Sequence, residues 1–138
     1  MDVHAETLRL HGIKPSLTRM MILAYLTEQP THPTVEEIYQ ALIHQLPTLS
    51  KTTVYNTLHL FTQQRLAREV MLKDQESRFD LARHPHAHFQ CLQCDSVYDT
   101  QDMPSWQLPQ EFQNHQIDDV SVLFTGVCDR CKSEDVGA

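Results

Sequence analysis

The stretch HPHAHFQCLQC, residues 84–94, combines three histidines with Cys91 and Cys94, the first of two Cys-x-x-Cys pairs. The second pair is Cys128 and Cys131, and the chain contains no further cysteine. Four thiolates in two such pairs can form a closed tetrahedral zinc site, whereas imidazoles with carboxylates form a harder site that can bind and release a metal reversibly. This stretch therefore predicts two metal sites of different chemistry.

The spacing of the cysteines favours structural zinc. A spacer of 33 residues separates the two pairs, so two tight turns can share one ion through sulfurs at about 2.3 Å. Two disulfides are the competing interpretation, but a cytosolic chain keeps its thiols reduced. A redox Cys-x-x-Cys is another, but the motif occurs twice and lacks a thioredoxin-like context. Zinc would join the strand that ends at Cys91 to a C-terminal strand in a domain with a small core.

Composition indicates a small globular protein. Its 138 residues, 41% of them hydrophobic, suffice for one domain or two small ones. No apolar run approaches the length of a membrane span, and the N-terminus has no basic region followed by an apolar one. We therefore expect a cytoplasmic protein with no membrane partner.

The charge distribution is uneven. The net charge is −7, which by itself weighs against a nucleic-acid partner. Residues 1–81 contain 8 basic and 9 acidic side chains, however, whereas residues 82–138 contain 3 and 9. The first part is close to neutral, and local patches there can still contact phosphate.

Residues 1–82 are predicted to form a helical DNA-binding domain. Ser16, Thr34 and Ser50 precede apolar residues at helical spacing, as N-cap residues do, and Glu37 completes a capping box with Thr34. A short turn joins the third and fourth helices, which is typical of a helix-turn-helix. The same pattern is also typical of three packed helices that bind no DNA.

A β-hairpin is predicted after the fourth helix. Residues 67–71 and 77–81 have the pattern of strands and flank a polar turn. The hairpin that they would form is the wing of a winged helix. The candidate DNA contacts are Lys51, Thr53, Tyr55 and Asn56 on the fourth helix, with Arg19 at the start of the second helix as a phosphate contact. The alternative interpretation is that these residues form an ordinary exposed helix surface.

Residues 83–138 are predicted to form a small α+β domain. Residues 86–90 and 120–124 alternate in the manner of strands, 96–100 is short and β-like, and 109–115 is predicted to form a short helix. The overall fold class is therefore α+β, with the helical domain first.

A histidine-carboxylate site is predicted near the start of the second domain. His86 and His88 are two residues apart, so on a strand both point to the same face. Asp80 and Asp99 are the nearest candidate carboxylates. His32 lies in a turn, where a lone histidine is usually a surface residue, and the remaining histidines are expected to be surface residues too: His4, His11, His44, His59, His84 and His115.

Four ordered motifs carry a family resemblance. They are HPT at 32–34, TVYNTL at 53–58, SRFD at 77–80 and HAHFQCLQC at 86–94. In this order and at these separations they resemble the ferric uptake regulator (Fur) superfamily, from about residue 12 to residue 131. The resemblance implies a homodimeric repressor of double-stranded operator DNA, with a winged helix followed by an α+β dimerisation domain that holds the four-cysteine zinc site.

The resemblance also implies a regulatory Fe(II) or Mn(II) site, with the ligands His32, Asp80, His86, His88 and Asp99. Zinc-uptake regulators commonly have cysteine at position 80, and iron-uptake regulators commonly have glutamate at positions 80 and 99. The two aspartates resemble the peroxide-sensing branch, in which Fe(II) promotes oxidation of the residues that correspond to His32 and His86. An iron-responsive repressor of metal-uptake genes is the alternative.

Some residues differ from those usual in the family, and others argue against different classes of protein. Pro85 and Ala87 replace residues that build an additional metal site in many relatives, so that site is expected to be missing. Zinc deaminases need a His-x-Glu that the chain lacks beside its histidines, so neither an enzyme nor an organic substrate is expected. A metal storage or delivery protein would explain the histidines but not the helix-turn-helix.

Overall fold

A computed structural model of the chain describes residues 2–29, 32–82, 87–100, 111–117 and 120–135. The chain divides into an N-terminal unit, Met1–Arg83, and a C-terminal unit, His84–Ala138. Within the described ranges, no helix is both long enough and apolar enough to cross a membrane. The mixture of helices and sheets confirms the α+β class.

The N-terminal unit contains four helices and a hairpin. They are α1 (Asp2–Leu10), α2 (Leu17–Glu28), α3 (Val35–Leu42), α4 (Lys51–Gln63), β1 (Ala67–Val70) and β2 (Arg78–Leu81). The predicted N-caps are confirmed, because the side-chain oxygens of Ser16, Thr34 and Ser50 each accept the backbone N–H three residues later. These bonds satisfy amides that a helix start would otherwise leave unpaired.

The end of α1 requires a glycine. Gly12 has φ +71°, a conformation that costs other residues a steric clash. With this turn, the amide of Ile13 donates to the carbonyl of Leu8 at 2.8 Å and closes the helix. The first helix therefore ends at this glycine.

The helix-turn-helix and the hairpin follow one another in the N-terminal unit. The short connection between α3 and α4 is closed by hydrogen bonds from Leu46 to Leu42 and from Leu49 to Leu46. β1 and β2 pair antiparallel, with Ala67 opposite Leu81 and Val70 opposite Arg78. This order of elements is that of a winged helix.

One apolar core joins these elements. Its fully buried members come from every helix, and the largest are Leu8, Ile22, Leu23, Ile38, Val54, Leu58 and Phe61. Burying a large apolar side chain contributes about 1.5–3 kcal/mol, so this core fixes the orientation of α4 and determines which of its side chains face outwards.

The C-terminal unit is built on a three-stranded sheet. β3 (Ala87–Cys91) lies between β4 (Val97–Thr100), which is antiparallel to it, and β7 (Leu123–Gly126), which is parallel. A final helix, α5 (Asp129–Asp135), follows β7.

The prediction of a short helix at 109–115 is wrong for the residues that the structure describes there. β5 (Glu111–Phe112) and β6 (His115–Gln116) form a two-stranded hairpin instead. The two residues between them, Gln113 and Asn114, have φ +49° and +68°. A two-residue turn with positive φ at both positions matches the twist of the strands it joins. Because glycine is the usual signal for such a turn and none occurs here, the turn is not predicted from the sequence.

Packing on α4 gives a prediction for stability. Phe61 is fully buried, whereas Tyr55 is 52% exposed. We expect Phe61→Ala to lower the free energy of unfolding by about 3–5 kcal/mol and the matched control Tyr55→Ala to change it by less than about 0.5 kcal/mol. Denaturant unfolding followed by helical circular dichroism measures both, and equal losses would contradict this packing.

Candidate metal centres

The four thiols of the chain lie together in the C-terminal unit. Cys91 ends β3, Cys94 lies in the turn after it, Cys128 precedes α5, and Cys131 lies in the first turn of α5. Their sulfur atoms all lie within 4.8 Å of one another. The Cys91–Cys131 and Cys94–Cys128 sulfur pairs are each separated by 3.8 Å.

The sulfur separations distinguish a metal site from disulfides. A disulfide bond holds its sulfurs at about 2.05 Å, and all four cysteines are free. Ligands at about 2.3 Å from a tetrahedral zinc ion lie about 3.8 Å from one another, which is the separation found here. The cluster therefore fits one closed tetrahedral ion, and the disulfide interpretation is excluded.

Backbone amides favour the ionised form of two of the four thiols. The amides of Cys94 and Cys128 both donate to the Cys91 sulfur at 3.4 Å. The Cys128 bond, and then the Cys94 bond, lower the pKa of Cys91 to about 6. The amide of Cys131 likewise lowers the pKa of Cys128.

The last proton of the cluster is harder to remove. The hydrogen bond of the Cys131 thiol to Cys128, together with burial, raises the pKa of Cys131. Several thiolates cannot be crowded together without compensation, because like charges in close contact repel. A divalent cation supplies that compensation, so the electrostatics of the cluster agree with its geometry.

Local backbone hydrogen bonds hold the two halves of the thiol cluster together. Asp95 has φ +64° and its amide donates to the carbonyl of Cys91 at 2.9 Å, which closes the first turn. The amide of Leu92 donates to the carbonyl of Gly126 at 2.8 Å, which ties that turn to the end of β7. The chain then reaches Cys128 within two residues.

A histidine-carboxylate pair lies in the N-terminal unit. His32 Nε2 is 3.6 Å from Asp80 Oδ2, and the His32 side chain is only 7% exposed. The segment before α3 is fixed to β2, because Arg78 donates to the carbonyl of His32 at 3.0 Å and the amide of Phe79 donates to the carbonyl of Pro33 at 2.9 Å. His32 and Asp80 are predicted from the sequence, whereas the role of Arg78 is not.

A second pair lies in the C-terminal unit. His88 on β3 is directly opposite Asp99 on β4, and such cross-strand neighbours have their Cβ atoms about 5 Å apart. His88 Nε2 is 3.3 Å from Asp99 Oδ1, with the histidine buried and the aspartate 43% exposed. The register of one hairpin therefore creates this pair.

Both distances suit shared ligation. They exceed the usual 2.7–3.2 Å of an N–H···O hydrogen bond. Two donors about 2.1 Å from one ion lie about 3.0–3.6 Å apart as the angle at the ion increases from about 90° to about 120°. Nitrogen and oxygen donors suit Fe(II) and Mn(II). Each pair offers two donors, which is fewer than such an ion needs.

The other histidines differ from these pairs. His86 and His84 lie outside the described residues. Among the histidines that the structure does describe, five belong to no group of three or more potential ligands: His4, His11, His44, His59 and His115.

The outer surface of α4 exposes the predicted DNA contacts. Tyr55, Asn56, Thr53 and Lys51 are all exposed, and Tyr55 stacks on His59 with ring centroids 6.2 Å apart and an interplanar angle of 6°.

Three of the predicted contacts have partners within the protein. The Thr53 hydroxyl is 2.9 Å from that of the N-cap, Ser50. Arg19, at the start of α2, donates to the carbonyl of Lys14 at 2.8 Å. Lys51 Nζ forms an ion pair with Glu36, which sequence analysis missed.

Comparisons with known proteins agree on one family. A profile described as "Ferric uptake regulator family" matches residues 10–125. The peroxide-responsive repressor PerR of Staphylococcus aureus is 37% identical over 138 residues, which covers 97% of this chain and 93% of that protein.

Solved structures show the same fold. The ferric uptake regulator Fur of Helicobacter pylori matches with a TM-score of 0.73 and 18% identity over 95% of this chain and 90% of that one. The PerR of Streptococcus pyogenes matches with a TM-score of 0.53 and 23% identity over 91% of this chain and 88% of that one.

The thiol cluster gives a prediction for zinc binding. We expect about one zinc ion per chain, and we expect Cys128→Ser to weaken its binding by at least about 100-fold, because changes to outer-shell partners alone cost about 10–100-fold. Zinc measured by mass spectrometry after dialysis against a chelator tests this. Ser121→Ala, an exposed change in the same unit, should retain the zinc; equal retention by both variants would remove Cys128 from the site.

Proposed function

Because the chain belongs to the ferric uptake regulator family, we propose that it is a metal-dependent, DNA-binding transcriptional repressor that responds to peroxide. The observation that carries the proposal is the likeness to a peroxide-responsive repressor over nearly the whole chain. The aspartates at positions 80 and 99 agree with it, and together they favour this function over an iron-responsive repressor. A metal storage or delivery protein would not require the exposed polar surface of α4.

The two kinds of metal site have different roles in this proposal. Cys91, Cys94, Cys128 and Cys131 hold structural Zn(II), since a four-thiolate site is closed and keeps no open position. Regulatory Fe(II) or Mn(II) is held jointly by the His32–Asp80 pair, by the His88–Asp99 pair and by His86. The two-donor character of each pair supports this, because neither pair alone completes a coordination sphere.

Sharing one ion would couple the two units. The ligands belong to both the N-terminal and the C-terminal unit, so ion binding favours the arrangement in which all of them reach the ion. It favours that arrangement only by its differential affinity for it. DNA and the ion then strengthen each other's binding to the same extent.

The N-terminal unit would supply the DNA contacts. Tyr55 and Asn56 are exposed on α4, where they can reach base edges in the major groove. Thr53, beside the N-cap of the same helix, is a further candidate there, and Arg19 would contact the phosphate backbone. Lys51, the remaining candidate from the sequence, is paired with Glu36 instead.

The C-terminal unit would form a homodimer. Phe112 is 60% exposed, and Phe124 and Val120 are 38% and 36% exposed, which leaves apolar surface for a second copy to cover. A two-fold dimer can set two recognition helices about 34–36 Å apart, one turn of DNA. We propose a cytoplasmic location, where the DNA of such a repressor would lie.

Peroxide would end repression through the ligands themselves. Fe(II) held by these ligands would activate peroxide beside the imidazoles of His32 and His86, with peroxide as the two-electron oxidant and the imidazole ring as the reductant. One oxygen atom of the peroxide is added to the ring, and the other leaves as water. An oxidised imidazole is a poor ligand, so His32 no longer ties the N-terminal unit to the ion.

DNA binding through α4 is testable with one substitution. We expect Tyr55→Ala to lower operator affinity by about 10–100-fold, because a base contact is worth about 1–3 kcal/mol, while bound zinc and manganese stay unchanged. Gel shifts with Mn(II), on an operator selected from random duplexes, measure the affinity. Leu10→Ala, an exposed change on α1, is the control; equal affinity of both variants would exclude Tyr55 from the interface.

Peroxide sensing has a separate readout. After the Fe(II)-loaded protein is exposed to peroxide, peptides that contain His32 or His86 should gain one oxygen atom, and operator binding should be lost. The Mn(II)-loaded protein should show neither change. Unmodified histidine peptides in the Fe(II) form after operator release would show that sensing takes another route.

A further inference from the structure

Lys51, the first residue of α4, is held by α3. Its Nζ lies 2.6 Å from Glu36 Oε2 and 5.5 Å from the centre of the Tyr39 ring. Gln40 donates to the other oxygen of the Glu36 carboxylate at 3.1 Å, which orients that carboxylate towards Lys51. A positive charge that DNA phosphate could use is therefore engaged within the protein.

The ion pair is suited to competition with DNA. Both side chains are about half exposed, 56% for Lys51 and 44% for Glu36, and exposed ion pairs are weak and screened by salt. The bond to Glu36 raises the pKa of Lys51, and the carboxylate of Glu76 adds a smaller contribution. The lysine is thus fully charged, but the carboxylate beside it offsets its charge.

The position of the pair adds to its effect. A lysine in the first turn of a helix opposes the helix dipole, which favours negative charge at the N-terminus. Glu36 offsets that cost from the neighbouring helix. The pair therefore stabilises the free protein in a geometry that leaves Lys51 neutralised at the surface that faces DNA.

We propose that Glu36 is an intramolecular substitute for DNA phosphate, which withholds Lys51 from the phosphate backbone and so lowers the sequence-independent affinity of the helix-turn-helix. The proposal rests on the proposed DNA-binding function. Under this proposal Lys51 is not a phosphate contact as long as it is bound to Glu36.

The test is a double-substitution cycle in the full-length, zinc-loaded protein with Mn(II). The probe is a labelled duplex of mixed sequence, because phosphate contacts do not depend on sequence. Lys51→Gln in the parent should change affinity by less than about twofold. In the Glu36→Gln background the same change should cost about tenfold and reduce the slope of log affinity against log salt by about 0.9 for each lost contact.

Salt provides a second measurement. Between about 50 and 200 mM salt, Glu36→Gln should lose about 3.5-fold more affinity than the parent for each added phosphate contact. Glu6→Gln is the matched control, since it removes the same charge from an exposed carboxylate on α1 and should leave the salt slope unchanged. Thermal unfolding of each variant verifies that these amide replacements keep the fold.

The outcomes separate the two proposals. If the parent binds no duplex with Mn(II), the proposed function fails. If the parent binds but Lys51→Gln has the same effect in both backgrounds, or if Glu36→Gln behaves like Glu6→Gln, the role of Glu36 is overturned while DNA binding stands.

Discussion

The hydrogen bonds that hold β3 between β4 and β7 are the constraint on which the chemistry of the C-terminal unit depends. The register with β4 places His88 opposite Asp99, and the register with β7 places Cys91 beside Gly126, two residues before Cys128. A slip of one residue would turn every side chain of β3 to the opposite face. It would therefore separate the His88–Asp99 pair and open the thiol cluster at the same time.

The two kinds of donor differ in where the chain provides them. All four thiolates belong to the C-terminal unit, so an ion held there stabilises one small unit whose sheet has only three strands. The nitrogen and oxygen donors are divided between the units, and each unit offers an incomplete pair. Soft thiolates suit permanent zinc binding, whereas nitrogen and oxygen donors suit metals that bind reversibly.

The sequence was most informative where a side chain bonds to its own backbone or where spacing fixes geometry. Three N-caps, the stop at Gly12 and the two cysteine pairs were all predictable from local chemistry. The hairpin at 111–116 was not, because its turn uses Gln113 and Asn114 at positive φ without a glycine. Glu36 was missed for a different reason: its bond to Lys51 depends on how α3 and α4 pack, and helical periodicity does not determine that.

The acidity of the chain becomes consistent with a DNA-binding role when the surface of α4 is considered. Two of its exposed residues, Tyr55 and Asn56, are uncharged, and Lys51, the one lysine at its start, is offset by Glu36. Non-specific affinity for DNA comes almost entirely from charge, whereas sequence is read by hydrogen bonds and apolar contacts to base edges. A surface with little net positive charge binds random DNA weakly. In the proposed homodimer, specific affinity would come from two recognition helices placed correctly at once, which is the arrangement that a shared ion would control.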